Sequence, residues 1–555
     1  MKITKATFLL ASLLVIFTAC EDMLETNSNR LVFENDYVIN DPNEAFYALS
    51  GVMAEMQAIG DRYVLLGELR GDLMTVSEQS SVALQEINRF QVSEDNEYAD
   101  KYAYYSIINN CNYILQRMDT NLVMHTQKVM LPAYVQAKVI RAWTYFPLVQ
   151  IFGKAHYIDA PVLDLNASLA SYPIVGLDEM VDKLIQELLP YADVQAPSSE
   201  QTPFPFLSAN LMLADFYLFK NDYKIAAQRY YAEIYNQQAV ISTGYLSRWH
   251  DNTWRVSDIN HRYSYRGEEL TSILFRSGAR YPHSRLVSLT MNNQASLLPA
   301  QQYVDFMNTS VYIHTAQPNI NSTISTWREG DLRGCIRSQY LESPNAFGYI
   351  NTALSEMPVI SKFFNVGDIS SDGFDPNNPY LEDELVYLTR VPLYRTPHLY
   401  LRLAEALNRD GKPTLAFAVL KYGLNYTTLH NPLFVNPDEL NDPYTVFDLD
   451  MFSSNVGTAM RGRGYGIYRD QSVFVIPDQT VLPEKQDSIN WVELRILEEM
   501  SAETAFEGNR FFDLLRVSRR RPNHPEFMAD KVAIKYQDAV AAKAELMDLN
   551  RWFLP

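Results

Sequence analysis

The sequence predicts a mostly α-helical chain folded as one large domain. Three observations predict this. Apolar residues recur at helical spacing through both ends of the chain, two segments carry a helix–break–helix pattern, and no Gly/Ser/Pro-rich linker divides the 555 residues. With 47% hydrophobic residues the chain can bury more than one ordinary core, so the lack of a linker argues for a single intertwined body over 43–555.

Helices are expected over 43–56 and 102–118, the second with Tyr104, Ile107, Ile108, Cys111, Ile114 and Leu115 on one stripe. The strongest pattern covers 133–152, with Val135, Val139, Ala142, Trp143, Phe146 and Val149 inward and Gly153 as its stop. A further helix is expected over 178–191. Two more, 208–219 and 223–235, are separated by Lys220, Asn221 and Asp222 and form a hairpin. The same pattern returns at 398–408 and 413–423, where Ala404, Ala406, Ala416 and Ala418 let two helices approach closely. This spacing resembles tetratricopeptide units of about 34 residues, and two such units need further neighbours to bury their second faces. Helices at 491–507, 509–519 and 531–549 end the chain. Between about 244 and 394 periodicity fades and Gly, Asn, Pro, Ser and aromatic residues crowd long connections. The expected division is a helical scaffold over about 43–240 and 395–555, with a loop-rich, ligand-facing part over about 241–394.

The first residues have the layout of an export signal: Lys2 and Lys5, an apolar run over 6–17, then Thr18, Ala19 and Cys20. Residues 1–19 are read as a lipoprotein signal peptide, Cys20 as the acylated residue and 20–42 as a lipidated tether. One acyl chain holds a membrane only marginally, at about 0.8 kcal/mol per buried methylene, and a second makes the anchor stable. Removal of Lys2 and Lys5 takes the formal charge from -19 to about -21. Such a surface repels phosphate backbones and argues against nucleic acid as a partner. Apart from Cys20, the chain has Cys111 in a helical pattern and Cys335 in an expected loop, which make neither a disulfide framework nor a zinc site.

Residues 498–516 read EEMSAETAFEGNRFFDLLR, 393–411 read LYRTPHLYLRLAEALNRDG and 141–153 read RAWTYFPLVQIFG. The first resembles the C-terminal signature of the SusD/RagB family of outer-membrane glycan-binding lipoproteins, E-x-A-x-E-x-x-x-E-G-x-R-x-x-D-L-x-R. Glu499, Glu503, Phe506, Glu507, Gly508, Arg510, Phe512, Asp513, Leu514 and Arg516 fit it, and Met500-Ser501 departs from it. Arg395, Leu403, Ala404, Glu405, Ala406 and Asn408 match the family in the second stretch. Weaker echoes are YSIINNCNYIL from Tyr105, GDLR from Gly330 and WFLP at 552–555. Glu21 and Asp22 resemble the acidic export tag of Bacteroidetes surface lipoproteins. None of these motifs has the make-up of a reaction centre; Glu507 and Arg510 lie three apart at a helix junction and are expected to pair across it, so the set is read as structural.

The resemblance implies a SusD-like fold of tetratricopeptide-like helix pairs packed with a loop-rich irregular half. It also implies a palmitoylated, surface-exposed outer-membrane protein that captures glycan without catalysis. Its partner would be a SusC-like TonB-dependent barrel, over which it acts as a lid. No cofactor is implied, and whether a calcium ion props a loop is not fixed by the residues. Two rivals remain at this stage: a lid that binds peptide, and a surface glycosidase, which would need two carboxylates roughly 5–10 Å apart across a sugar cleft.

Against catalysis, the chain has no His-Glu-x-x-His helix, Gly-x-Ser-x-Gly elbow or phosphate-cradling Gly-rich loop. Gly462, Gly464 and Gly466 in RGRGYG are read as a flexible surface turn. Arg519, Arg520 and Arg521 are read as a solvated cap on a helix C-terminus. A neutral sugar asks for flat aromatic rings flanked by amides, carboxylates or guanidinium groups. The loop-rich middle offers Trp254, Tyr263, Tyr265 and Trp327 as rings, with Arg262 and Asn252 as polar partners.

Overall fold

The computed structural model describes residues 37–197, 207–241, 246–248, 254–256, 268–275, 284–290, 294–319, 322–331, 333–334, 346–351, 356–363, 390–464, 467 and 472–555. Residues 1–19, read as a signal peptide, and Cys20, Cys335 and the stretch 367–379 lie outside the described residues.

The principal helices are α1 (Pro42–Glu55), α2 (Gln57–Glu68), α3 (Tyr102–Arg117), α4 (Leu131–Phe152), α5 (Leu177–Leu188), α6 (Ala209–Phe219) and α7 (Tyr223–Asn236). After the middle of the chain come α8 (Thr396–Arg409), α9 (Pro413–Lys421), α10 (Lys485–Glu503), α11 (Arg510–Arg519), α12 (Glu526–Ala533) and α13 (Ala539–Leu546). Their ends follow local chemistry. Asp41 caps α1 by accepting from the Asn43 amide, with Pro42 in the first turn. Gly153 ends α4 in the left-handed region at φ +74°. Ser208 caps α6 by accepting from the Leu211 amide.

Three helical hairpins pack in sequence: α3 on α4, α6 on α7, and α8 on α9, with α4 against α6 and α7 against α8. The sequence pointed to two of these units; the third supplies the neighbour that two alone lack. Ala404, Ala406, Ala416 and Ala418 are wholly buried where α8 meets α9, as their small size requires. Helix α10 closes the row against α8 and α9. The expected final helix over 531–549 is instead two, α12 and α13, because the chain breaks after Ala533 and Asp538 starts a new helix by accepting from the Ala541 amide.

The described part of the middle region is made of paired strands as well as loops. Val311–Asn319 and Ser322–Glu329 form an antiparallel hairpin, Phe347–Asn351 pairs with Glu356–Ile360, and Glu269–Leu274 pairs with Arg390–Arg395, which leads directly into α8. One continuous core joins this region to the helices: Phe347, Ile360 and Val391 belong to the same buried cluster as Leu403 and Phe506.

Candidate functional site

The family-motif residues form a buried ion lattice. Arg333 donates to Asp331, to Glu499 at 2.5 Å and to Glu503 at 3.2 Å. Arg395 donates to both oxygens of Glu507, at 3.0 and 2.7 Å, and reaches Glu268 and Glu503 at 3.4 Å. Arg461 bridges Glu268 and Glu503 at 3.1 and 3.2 Å, Arg463 meets Asp331 at 3.4 Å, and Lys362 meets Glu507 at 2.7 Å. His398 accepts the Arg395 amide proton at Nδ1, so its neutral ring donates from Nε2 toward Glu507 at 3.3 Å; burial lowers its pKa. Burial would raise the Glu507 pKa, and Arg395 and Lys362 outweigh it, holding the carboxyl well below its usual range.

Neighbouring pairs extend the pattern. Arg510 grips Asp72 through Nε and Nη2 at 2.5 and 2.8 Å, and Arg516 meets Glu405 at 2.7 Å and Asp513 at 2.8 Å. Glu507 and Arg510, on either side of the helix junction, each pair with a residue distant in sequence, Arg395 and Asp72. Gly508 holds φ +88° at that junction, and a Cβ on Gly67 of α2 would lie 1.9 Å from its carbonyl oxygen.

Two sequence readings are corrected here. RGRGYG is no surface turn in its described part: Gly462 is buried in the short helix Thr458–Arg463, where a Cβ would meet Arg333 Nε and Asp331 Oδ1 at 2.2 Å. Gly464, at φ +81°, lies where a Cβ would sit 2.4 Å from the Ile313 carbonyl oxygen. Gly462 makes room for the lattice, and Gly464 for the close approach of the Ile313 backbone. The arginine run is not uniformly solvated either, because Arg520 is buried and donates to Glu405 and Glu493 at 2.6 Å, and Arg521 pairs with Glu493. Arg519 alone of the three keeps an exposed partner, Asp178.

A different set of residues lines open space. A cleft of about 410 Å³ lies between α3, α4, the C-terminal end of α5 and the segment 157–161. At its base Arg141, 4% exposed, donates from Nη1 to Asn112 Oδ1 at 2.6 Å and from Nη2 to Glu187 Oε2 at 2.5 Å. Tyr157 donates its hydroxyl proton to the other Glu187 oxygen. The Asn112 amide nitrogen donates to the carbonyls of Ile158 and Ala160 at 2.9 and 3.2 Å, and Tyr145 brackets Ile158 through its hydroxyl, which pins the far wall. Tyr134 and Lys138 complete the near wall, and Asp159 stands exposed at the rim. Burial would lower the Arg141 pKa, and Glu187 beside it outweighs burial and raises it. Burial, then Arg141, lowers the pKa of Lys138.

The six ring and polar candidates from the middle region fare differently. Trp327 lies on the hairpin strand Ser322–Glu329 opposite Ile313 and is 52% exposed, as a platform requires. Trp254 falls in the strand Trp254–Val256, paired with Leu246–Arg248. Asn252, Arg262, Tyr263 and Tyr265 lie outside the described residues. The cleft residues escaped the reading from sequence although a signal was present. Tyr134, Lys138 and Arg141 are spaced four and three apart on α4, and Asn109, Asn112 and Gln116 three and four apart on α3, so each set shares a helix face.

Helical hairpins in a row, a charged core and an open polar cleft on the outer helices define a scaffold that presents a binding surface. Comparison with known proteins gives its kin. Residues 54–218 match the profile of a SusD-like family described as starch-binding, associating with outer membrane. SusD-like protein P2 of Formosa agariphila is 28% identical over 41% of this chain and 45% of its own length; SusD-like protein P38 of the same organism is 22% identical over 75% of this chain and 80% of its own. The chain thus spans less than half the length of the first of these relatives. Among solved structures, a SusD superfamily protein from Bacteroides vulgatus superposes with TM-score 0.55 at 17% identity, covering 86% of this chain and 89% of that one. One from Bacteroides thetaiotaomicron superposes with TM-score 0.54 at 15% identity, covering 93% and 99%. The chain is similar to SusD-like proteins, and the expected fold is the one found.

Proposed function

We propose that the protein captures oligosaccharide at the outer face of the outer membrane and hands it, unbroken, to a SusC-like TonB-dependent barrel, over which it acts as a lid. The observation that carries the reading is the pinned cleft, joined to the match of residues 54–218 to a family profile described as starch-binding. Its tyrosine rings offer apolar faces, and Gln116, Lys138 and Asp159 offer donors and acceptors for hydroxyls, which is the mixture a sugar requires. Trp327 supplies a second, exposed aromatic surface on its hairpin. Acyl chains on Cys20 would hold the protein at the surface; among the described residues no helix is long and apolar enough to cross a membrane.

Capture without cleavage fits the cleft's acids. Both oxygens of Glu187 are engaged, by Arg141 and Tyr157, which among the described residues leaves Asp159 as the lining carboxylate open to a sugar. A glycosidase needs two.

The test is a glycan-array screen of the purified protein, repeated with Trp327→Ala, Trp254→Ala and Tyr134→Ala, together with affinity capture of the protein from outer membranes. Selective glycan binding, weakened in the ring variants, and co-capture of a TonB-dependent barrel are expected. Binding of peptides but of no glycan, release of new reducing ends, or a protein found free in the periplasm would each overturn the reading.

A further inference from the structure

The charges around the cleft are sorted unevenly. Glu187 is saturated by Arg141 and Tyr157, and Arg141 spends both terminal nitrogens on Asn112 and Glu187. Its buried Nε–H has no hydrogen-bond partner. One helical turn earlier on α4, the Lys138 ammonium sits 5.4 Å from the ring centroid of Tyr134 and 5.7 Å from that of Tyr191, two rings that meet edge to face at 6.1 Å. Among the described residues no carboxylate pairs with it. Other part-buried lysines of this fold have a fixed acceptor: Lys412 meets Asp410 and Asp442, Lys220 meets Asp182, and Lys535 donates to the Leu69 and Met74 carbonyls.

A partly dehydrated ammonium beside a guanidinium is an unfavourable arrangement that a bound anion relieves. Burial, then Arg141, press the Lys138 pKa down, and Glu187, already engaged by Arg141 and Tyr157, pulls it up without offsetting them. A neutral ligand would strip more water from the ammonium and return no counter-charge. Asp159 is exposed at the rim, where solvent and salt screen its repulsion, and it is placed to accept from hydroxyls. The cleft volume of about 410 Å³ falls within the span of small-ligand pockets.

We infer that this cleft takes a carboxylate-bearing sugar, a uronic acid residue of a longer glycan, with Lys138 as the carboxylate's partner and the tyrosines of the wall against the ring. The inference rests on the reading of the protein as a glycan-capture lid and names the ligand class at that site.

Calorimetric titration of the purified protein with oligogalacturonate, oligoalginate and oligohyaluronate, each beside its carboxyl-reduced counterpart, tests it. At least one acidic oligosaccharide should bind, its reduced counterpart about ten-fold or more weakly. Lys138→Met, which keeps the aliphatic stem between the rings, should lose the same factor for the acid, abolish the preference for acid over reduced form and melt with the parent. Equal binding of acid and reduced forms, or acid binding untouched by Lys138→Met, overturns the carboxylate assignment and leaves glycan capture standing. So does an array positive for neutral glycans alone. An array silent to every glycan, neutral and acidic, overturns the underlying reading as well.

Discussion

Arg395→Met should destabilise the protein by about 3–5 kcal/mol, the loss that follows when one partner of a buried ion pair is removed and the other is left behind. Arg395 is wholly buried. It makes two hydrogen bonds to Glu507, one to the Glu503 carbonyl at 3.0 Å, and contacts with Glu268 and Glu503 at 3.4 Å. The connected lattice holds five carboxylates, Asp331, Glu268, Glu499, Glu503 and Glu507, against five cations, Arg333, Lys362, Arg395, Arg461 and Arg463. Among the described residues it is therefore neutral, and the variant leaves one buried negative charge in excess. Methionine fills much of the vacated volume, so the loss reports charge more than cavity.

The assay is urea denaturation at pH 7 followed by far-UV circular dichroism, with Arg395→Met compared with Arg395→Met/Glu268→Gln. The double variant restores four charges against four: Arg461 keeps Glu503 and Glu507 keeps Lys362. Burial already raises the Glu268 pKa despite Arg461 and Arg395, so it is the carboxylate most easily neutralised. The double variant should be the more stable of the two. A loss below about 1 kcal/mol for the single variant, the range of exposed pairs, or a double variant worse than the single, would refute the reasoning.

Gly67→Ala should cost about 1–3 kcal/mol or prevent folding, since its Cβ would run into the Gly508 carbonyl, and soluble yield with a urea midpoint measures this. Glu68, whose Oε1 accepts from the Gly508 and Asn509 amides at 2.7 and 3.1 Å, has its carboxyl pushed up to about 8 by burial. The folded state then holds a proton that the unfolded state releases near its ordinary 4.5. Stability should fall as pH rises between about 4.5 and 8, and in Glu68→Gln that slope should flatten, as denaturation at pH 5, 6, 7 and 8 would show. Asp331 and Glu405 run the other way: burial would raise both, and Arg333 for the first, Arg516 and Arg520 for the second, hold them at about 2. Their contribution is complete above the ordinary values of 3.8 and 4.5 and is lost as pH falls toward 2, so the parent's unfolding free energy should decline over that span, and the decline, measured by denaturation at pH 5, 4 and 3, should be shallower in Asp331→Asn, where that carboxyl no longer titrates.

The helices were legible because each buries a stripe whose period shows in a short window of sequence, as with Tyr104, Ile107, Cys111 and Ile114 on α3, all buried. The lattice was legible only as a list of members. Arg333 meets Glu499 across 166 residues and Arg395 meets Glu507 across 112, and local spacing carries no information about such partners. RGRGYG misled because glycine serves two ends that look alike in sequence. A flexible turn needs its conformational freedom, and a crowded core needs its missing Cβ, and Gly462 serves the second. The cleft went unread for a related reason. Arg141 was absorbed into a family motif and Tyr134 and Lys138 passed as ordinary helix residues, although their shared face on α4 was visible in the spacing.

Satisfaction, rather than burial or charge, separates architecture from recognition in this molecule. Arg333, Arg395, Arg510, Arg516 and Arg520 are each held by carboxylates in direct contact, so they have no charge left to offer a ligand. Their role is to fix α8, α10 and α11 against the strands of the middle region, where an unpaired member would cost several kcal/mol. Buried cations without a carboxylate are spent on the backbone instead: Arg70 donates to the Trp552 carbonyl and Lys535 to those of Leu69 and Met74. Lys138 differs from both in lining the open cleft on the outer helices, where its ammonium faces rings and solvent, and that placement leaves a counter-charge for a ligand to supply.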